Sequence, residues 1–242
     1  MAHEIKIKNQ EINSGRIQID KLWYLSQIKI FKMMTDEDLA IINQMASMKM
    51  LPKKYVIQRP KEFQKALYLL KKGKIRLYKL DPEGKQFTLG ILGGGNVFGE
   101  IKSFSLGTRD VYIETLEETL LCTINQELIQ IFLLERPKLM LKLLEVLSER
   151  LIESNRMLEH MALGDTKERL LYLLVKLSEQ FGTLKNKKTK IDLKLTHQEL
   201  AYMIGSTRES VSIMLKELAE QKLVIINRKS IAINNSLIGE IY

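Results

Sequence analysis

The 242-residue chain predicts an α+β fold made of three successive parts. Three observations carry this. From Pro52 to Asn125 apolar residues alternate with a period of two, as strands require. From Pro137 to Leu163 the period becomes helical. Beyond Gly164, two short helical stretches meet at Gly205 and give way to two apolar runs around a polar turn. The boundaries that follow are 1–136, 137–163 and 164–242.

The first fifty residues show short helical patterns: Leu22, Leu25 and Ile28, then Leu39, Ile42 and Met45, with Thr35 or Asp36 as an N-cap. Ala66–Leu70, Ile75–Leu80 and Phe87–Leu92 read as short strands. Lys72-Gly73 and Asp81-Pro82-Glu83-Gly84 separate them, glycine tolerating positive φ and Pro82 being pre-set for a turn. Strands and turns at this spacing predict a sandwich or barrel of about eight strands.

In the long helix, Met140, Leu144, Leu147, Leu151, Ser154, Leu158 and Met161 alternate at spacings of four and three. Such a heptad seam calls for something along its length, either the chain's own barrel or a facing helix. A lone polar residue, Ser154, favours the facing helix, since a polar seam position fixes register. Pairing through residues 140–161 makes a parallel two-fold homodimer. Gly164-Asp165 then supplies a break and a fresh N-cap.

The most specific local pattern is Thr196–Leu215. Thr196 with Glu199 forms a capping box for a short helix. Ala201 is small where two helices approach, Gly205 follows four residues later at a tight turn, and Val211 faces back six residues on. This Ala-x3-Gly-x5-Val spacing, framed by Leu200, Ile204, Met214 and Leu215, is a helix-turn-helix pattern. Its second helix exposes Thr207, Arg208, Glu209 and Ser212, residues able to read guanine, cytosine and phosphate. Leu223–Ile226 and Ser230–Ile233 flank Asn227-Arg228-Lys229, a hairpin whose basic tip suits phosphates.

Charge agrees with a polyanionic partner. The net charge is +9, and residues 163–242 hold 13 Lys/Arg against 9 Asp/Glu. Other classes find no support. The most apolar helical run, Leu139–Leu151, is broken by Lys142, Glu145 and Glu149, so no membrane helix is expected. The first residues lack a signal-peptide core, and one cysteine, Cys122, cannot make an intrachain disulfide or a four-thiolate iron–sulfur cluster. The sequence thus predicts a soluble cytoplasmic protein. It carries no P-loop, Gly-x-Ser-x-Gly, His-Glu-x-x-His or dinucleotide fingerprint, so no enzyme is expected. Gly93-Gly94-Gly95 lacks a following Lys-Ser/Thr and reads as a turn.

Together, Val97-Phe98-Gly99-Glu100, Arg169–Leu174 and Leu195–Ser212 resemble the CRP/FNR superfamily of bacterial transcription factors, over about residues 20–235. The resemblance implies a double-stranded β-helix (jelly-roll-like) sensor domain, a dimerisation helix and a winged helix-turn-helix. It also implies double-stranded DNA with a palindromic site and RNA polymerase as partners, usually in activation. By resemblance Thr196 and Gln198 sit at phosphate contacts, and Arg208, Glu209 and Ser212 at base-reading positions; His197 between them reads as a phosphate contact rather than a metal ligand. Ile213 stands where many members carry a second arginine, and an isoleucine there suits a thymine methyl.

In cyclic-nucleotide members a Gly-Glu pair and a later Arg-(Ser/Thr)-Ala form a phosphate cassette. Gly99, Glu100 and Arg109 match it, but Asp110 puts a carboxylate where a phosphate would lie. Cyclic AMP is therefore disfavoured. Haem finds no good axial ligand: Cys122 lies in an apolar strand and His160 beside the seam. No cofactor or metal is expected. Ser154 and Asn155 match the helix region where members touch an effector, although a tolerated polar seam explains them equally well.

Overall fold

The computed structural model describes residues 31, 34–62, 64–102, 104–227 and 230–235. The Leu22, Leu25 and Ile28 pattern lies outside them. The described helices are α1 (Asp36–Met45), α2 (Gln126–Leu134), α3 (Pro137–Leu163), α4 (Thr166–Phe181), α5 (His197–Ile204) and α6 (Arg208–Glu220). The chain divides into two compact units. One holds the residues up to Leu77 with Ile91–Ser148, the other Tyr78–Gly90 with the residues from Glu149 onward, so α3 contributes to both.

Among the described residues eight strands precede α2: β1 (Ala46–Leu51), β2 (Val56–Gln58), β3 (Ala66–Lys72), β4 (Lys74–Leu80), β5 (Gln86–Gly93), β6 (Val97–Glu100), β7 (Tyr112–Thr115) and β8 (Thr119–Asn125). They make two four-stranded sheets, ordered β1-β8-β3-β6 and β2-β7-β4-β5. Strand β3 shows why its sequence is apolar from Ala66 to Leu70 rather than alternating. Leu67 and Leu69 enter a core shared with α1, α2 and the start of α3. Tyr68 and Leu70 enter a second core with Ile75, Leu77, Phe98, Val111 and Ile113. Both faces of that strand are covered, so period two survives only in which core each residue joins. Cys122 is fully buried on β8, packed as a small apolar residue as its strand context indicated. Thr35 caps α1 by accepting from the Asp38 amide.

The seam read along α3 divides. Leu139 and Leu143 are buried, and Met140, Val146 and Leu147 pack against the first core. Leu141, Leu144, Leu151, Ile152 and Leu158 stay exposed, all above half of their surface. A single continuous stripe is thus corrected: Met140 and Leu147 face the chain's own domain. The exposed residues Leu141, Leu144, Ser148, Leu151, Asn155 and Leu158 retain the alternating spacing. No helix among the described residues is long and apolar enough to cross a membrane.

Beyond α3, α4 buries Leu170, Leu171, Leu173, Leu174 and Leu177 on one face. Strands β9 (Gly182–Lys185), β10 (Lys188–Ile191), β11 (Val224–Asn227) and β12 (Ser230–Asn234) form a sheet ordered β11-β12-β10-β9. Asp165 begins α4 with a capping box closed by Glu168.

Candidate nucleic-acid interface

The interface is built around one tight turn. Thr196 caps α5, its hydroxyl accepting from the Glu199 amide while the Glu199 carboxylate accepts from the Thr196 amide. Leu200, Ala201, Met203 and Ile204 bury the inner face of α5. Gly205 ends it with φ 63° and ψ 38°, the left-handed conformation that an L side chain adopts at a cost. The Ser206 amide then donates to Ala201 O, so the chain reverses at once into α6. Thr207 caps α6 through the Ser210 amide. Val211, Leu215 and Leu218 bury the inner face of α6, which leaves Thr207, Arg208 and Glu209 exposed at its N-terminus and Ile213 56% exposed one turn on.

His197 and Ser212 are brought together across the turn, Nδ1 to Oγ at 2.7 Å. Ser212 Oγ also lies 2.8 Å from Arg208 O and donates its one proton there. His197 Nδ1–H is therefore the donor to Ser212. Both residues, expected at the DNA, also join α5 to α6. Gln198 is half-buried at the start of α5. Arg228 and Lys229 lie outside the described residues. The flanking strands end at Asn227 and Ser230, in register with each other, so the hairpin itself is present.

Two contributors lie outside the helix-turn-helix pattern. Arg169 on α4 donates to Ile204 O at 3.4 Å, and a Cβ placed on Gly205 would sit 3.2 Å from Met161 Cε. Only the heptad spacing of Met161 hinted at a packing role.

The residues that match the phosphate cassette bond to one another. Gly99 has φ 124°, and a Cβ there would lie 2.2 Å from Ala66 O. That leaves glycine alone at this step of β6. Glu100 is 1% exposed. Its Oε1 accepts from Ser105 Oγ at 2.7 Å, the Thr108 amide at 3.2 Å and Thr108 Oγ1 at 3.0 Å. Its Oε2 accepts from Arg109 Nε at 3.3 Å. A buried carboxylate needs such donors, and here the chain provides them. Thr108 and Ser105 carry no sequence signal of this role, since only the loop's fold brings them to Glu100. Asp110 is exposed with φ 56°. Ser154 and Asn155 are exposed side by side on α3.

Residues 168–236 match the model of the Crp-like helix-turn-helix domain, and residues 48–136 that of the cyclic nucleotide-binding domain. Over 70% of this chain and 77% of its own length, the global nitrogen regulator of Synechococcus elongatus is 34% identical. A CRP-like cAMP-activated global transcriptional regulator of Mycobacterium tuberculosis is 28% identical over 70% of this chain and 76% of its own. In fold, a CooA mutant from Carboxydothermus hydrogenoformans superposes with a TM-score of 0.70 at 24% identity, covering 84% of this chain and 89% of that one.

Proposed function

The chain belongs to the CRP/FNR family of bacterial transcription regulators, and from that premise we propose that it works as a homodimer reading a two-fold symmetric DNA site. The observation that carries the proposal is the α5–Gly205–α6 turn, with Thr207, Arg208, Glu209 and Ile213 exposed along one helix. An α-helix of this kind enters the major groove, and two-fold symmetry spaces the half-sites about one helical turn apart. Arg208 donates to a guanine, Glu209 accepts from a cytosine amino group, and Ile213 packs on a thymine methyl. Arg228 and Lys229 contact flanking phosphates. Exposed Leu144, Leu151 and Leu158 on α3 supply the pairing face. Working on DNA places the protein in the bacterial cytoplasm, and RNA polymerase is the partner through which such a dimer activates.

In this reading the sensor acts without cyclic AMP, and no cofactor or metal takes part. Its support is the bonding of Glu100, whose two oxygens already hold Ser105, Thr108 and Arg109. A nucleotide would have to displace Arg109 and lie beside Asp110, so the residues present do not fit a cyclic phosphate well. The cassette serves as a brace joining β6 to the loop before β7.

Selecting DNA from a random duplex pool with the purified protein tests the first part. A symmetric consensus supports it, and retention of no sequence above background refutes it. Calorimetric titration with cyclic AMP tests the second. Saturable micromolar heat would overturn the closed-cassette reading, whereas no heat from protein that still shifts its selected duplex supports it.

A further inference from the structure

We propose that Glu153, Tyr172 and Lys176 form a positioning cluster that fixes the angle between α3 and α4, and so the half-site spacing the protein accepts. The inference rests on the two-half-site reading above. Glu153 lies on α3 and accepts from the Tyr172 hydroxyl at 3.0 Å and from Lys176 Nζ at 2.5 Å. Tyr172 also stacks on His160, with ring centroids 3.9 Å apart and planes 29° off parallel. Glu153 and His160 are two turns apart on one face of α3, and Tyr172 and Lys176 are one turn apart on α4. Four side chains thus close the two helices together across the Gly164-Asp165 break.

What makes the cluster decisive is what surrounds it. The buried residues of α3 are Leu139 and Leu143, both in its first two turns. No side chain in its second half is fully buried, so close apolar packing does not hold the α3–α4 angle there. The break itself is tight: the Gly164 amide donates to His160 O at 3.0 Å, and a Cβ on Gly164 would lie 2.7 Å from that oxygen. From α4 the constraint continues to the reading head. Arg169 holds Ile204 O, and Met161 of α3 abuts Gly205. A change of angle at Glu153 therefore carries α5 and α6 with it. The side chains of Glu153 and Lys176 are 36% and 31% exposed, so each bond is screened and contributes little stability. Its effect is on geometry.

The test uses the full-length dimer and symmetric duplexes that the wild type selects from a random pool. Half-site spacing is lengthened and shortened by one or two base pairs, and a single half-site is measured alongside. Glu153→Ala and Tyr172→Phe are expected to lose about 2- to 30-fold in affinity at the selected spacing and to discriminate less between spacings. Half-site affinity and dimer mass stay at wild-type values. Glu153→Gln, whose amide oxygen still accepts from Tyr172, keeps most of the discrimination. Folded Glu153→Ala and Tyr172→Phe dimers that retain full spacing selectivity would overturn the proposal. So would equal losses on full and half-sites, the mark of a merely structural role. If Glu153→Ala does not fold, Tyr172→Phe decides alone. A wild type that selects no symmetric site overturns the two-half-site reading and this proposal with it, an outcome distinct from unaltered variants.

Discussion

At Gly205 a single residue decides whether two helices meet at the angle DNA requires. Its left-handed backbone costs an L residue about 1–2 kcal/mol, and an added Cβ would crowd Met161 Cε at 3.2 Å. Gly205→Ala should therefore lower unfolding free energy by about that amount in urea titration, and Gly205→Asn by less. Arg208 acts without such structural cost, being exposed at the first turn of α6. Arg208→Ala should weaken specific DNA binding by about 1–3 kcal/mol while the dimer keeps its mass in light scattering. An unchanged footprint would show that another helix reads the bases. Gly205, Thr196 and Arg208 were legible in the sequence because caps and turns are decided within a few residues. Ser212 was legible only in part: its hydroxyl depends on His197, fifteen residues away, and on how α5 crosses α6. Glu100 teaches the same lesson, since its partners Ser105 and Thr108 reach it only through the loop.

Elements add what residues leave open. The apolar spacing of α3 was readable, but periodicity alone does not say which of two faces meets its own domain. The fold turns Met140 and Leu147 inward and leaves Leu144 and Leu151 outward. Two substitutions separate these roles. Leu151→Glu, set in the exposed stripe, should convert dimer to monomer in sedimentation with little change in the melting of the sensor domain. Leu147→Ala should lower thermal stability and leave the dimer in place. Dimers from both variants would mean that the pairing face lies elsewhere. The α3–α4 pair also has a pH signature. Burial and the neighbouring Glu153 carboxylate push the Tyr172 hydroxyl up to about 12 from an ordinary value near 10. The folded state holds that proton more tightly than the unfolded state. Stability from this group is therefore full below about pH 10 and is lost as pH rises toward about 12. A denaturation series should show this alkaline loss in the wild type and a smaller one in Tyr172→Phe.

For the whole molecule, charge decides how binding depends on salt, and the fold says which charges count. The chain carries +9, and Lys185, Lys187, Lys188 and Lys190 cluster around one turn. Composition alone leaves open whether they meet DNA, polymerase or neither. The sheet says where they lie. In register, Lys188 sits opposite Asn234 and Lys190 opposite Ala232, whereas β11 and β12 join beyond Asn227 and Ser230. The Asn186-Lys187 turn therefore emerges at the end of the sheet opposite the Asn227 and Ser230 pair. A strand of β12's length separates the two, and charges farther than about 8–10 Å from a phosphate are largely screened at physiological salt. If the Arg228 and Lys229 side chains contact phosphates as proposed, they and not the lysine turn should release counterions. Replacing Lys185, Lys187 and Lys188 by Gln should leave the slope of log affinity against log salt on a minimal operator duplex unchanged within about one. Replacing Arg228 and Lys229 by Gln should reduce it by about one for each phosphate no longer neutralised. If the lysine turn moves the slope and the tip does not, the sheet meets DNA by its other end, and α6 reads the groove in the reverse orientation.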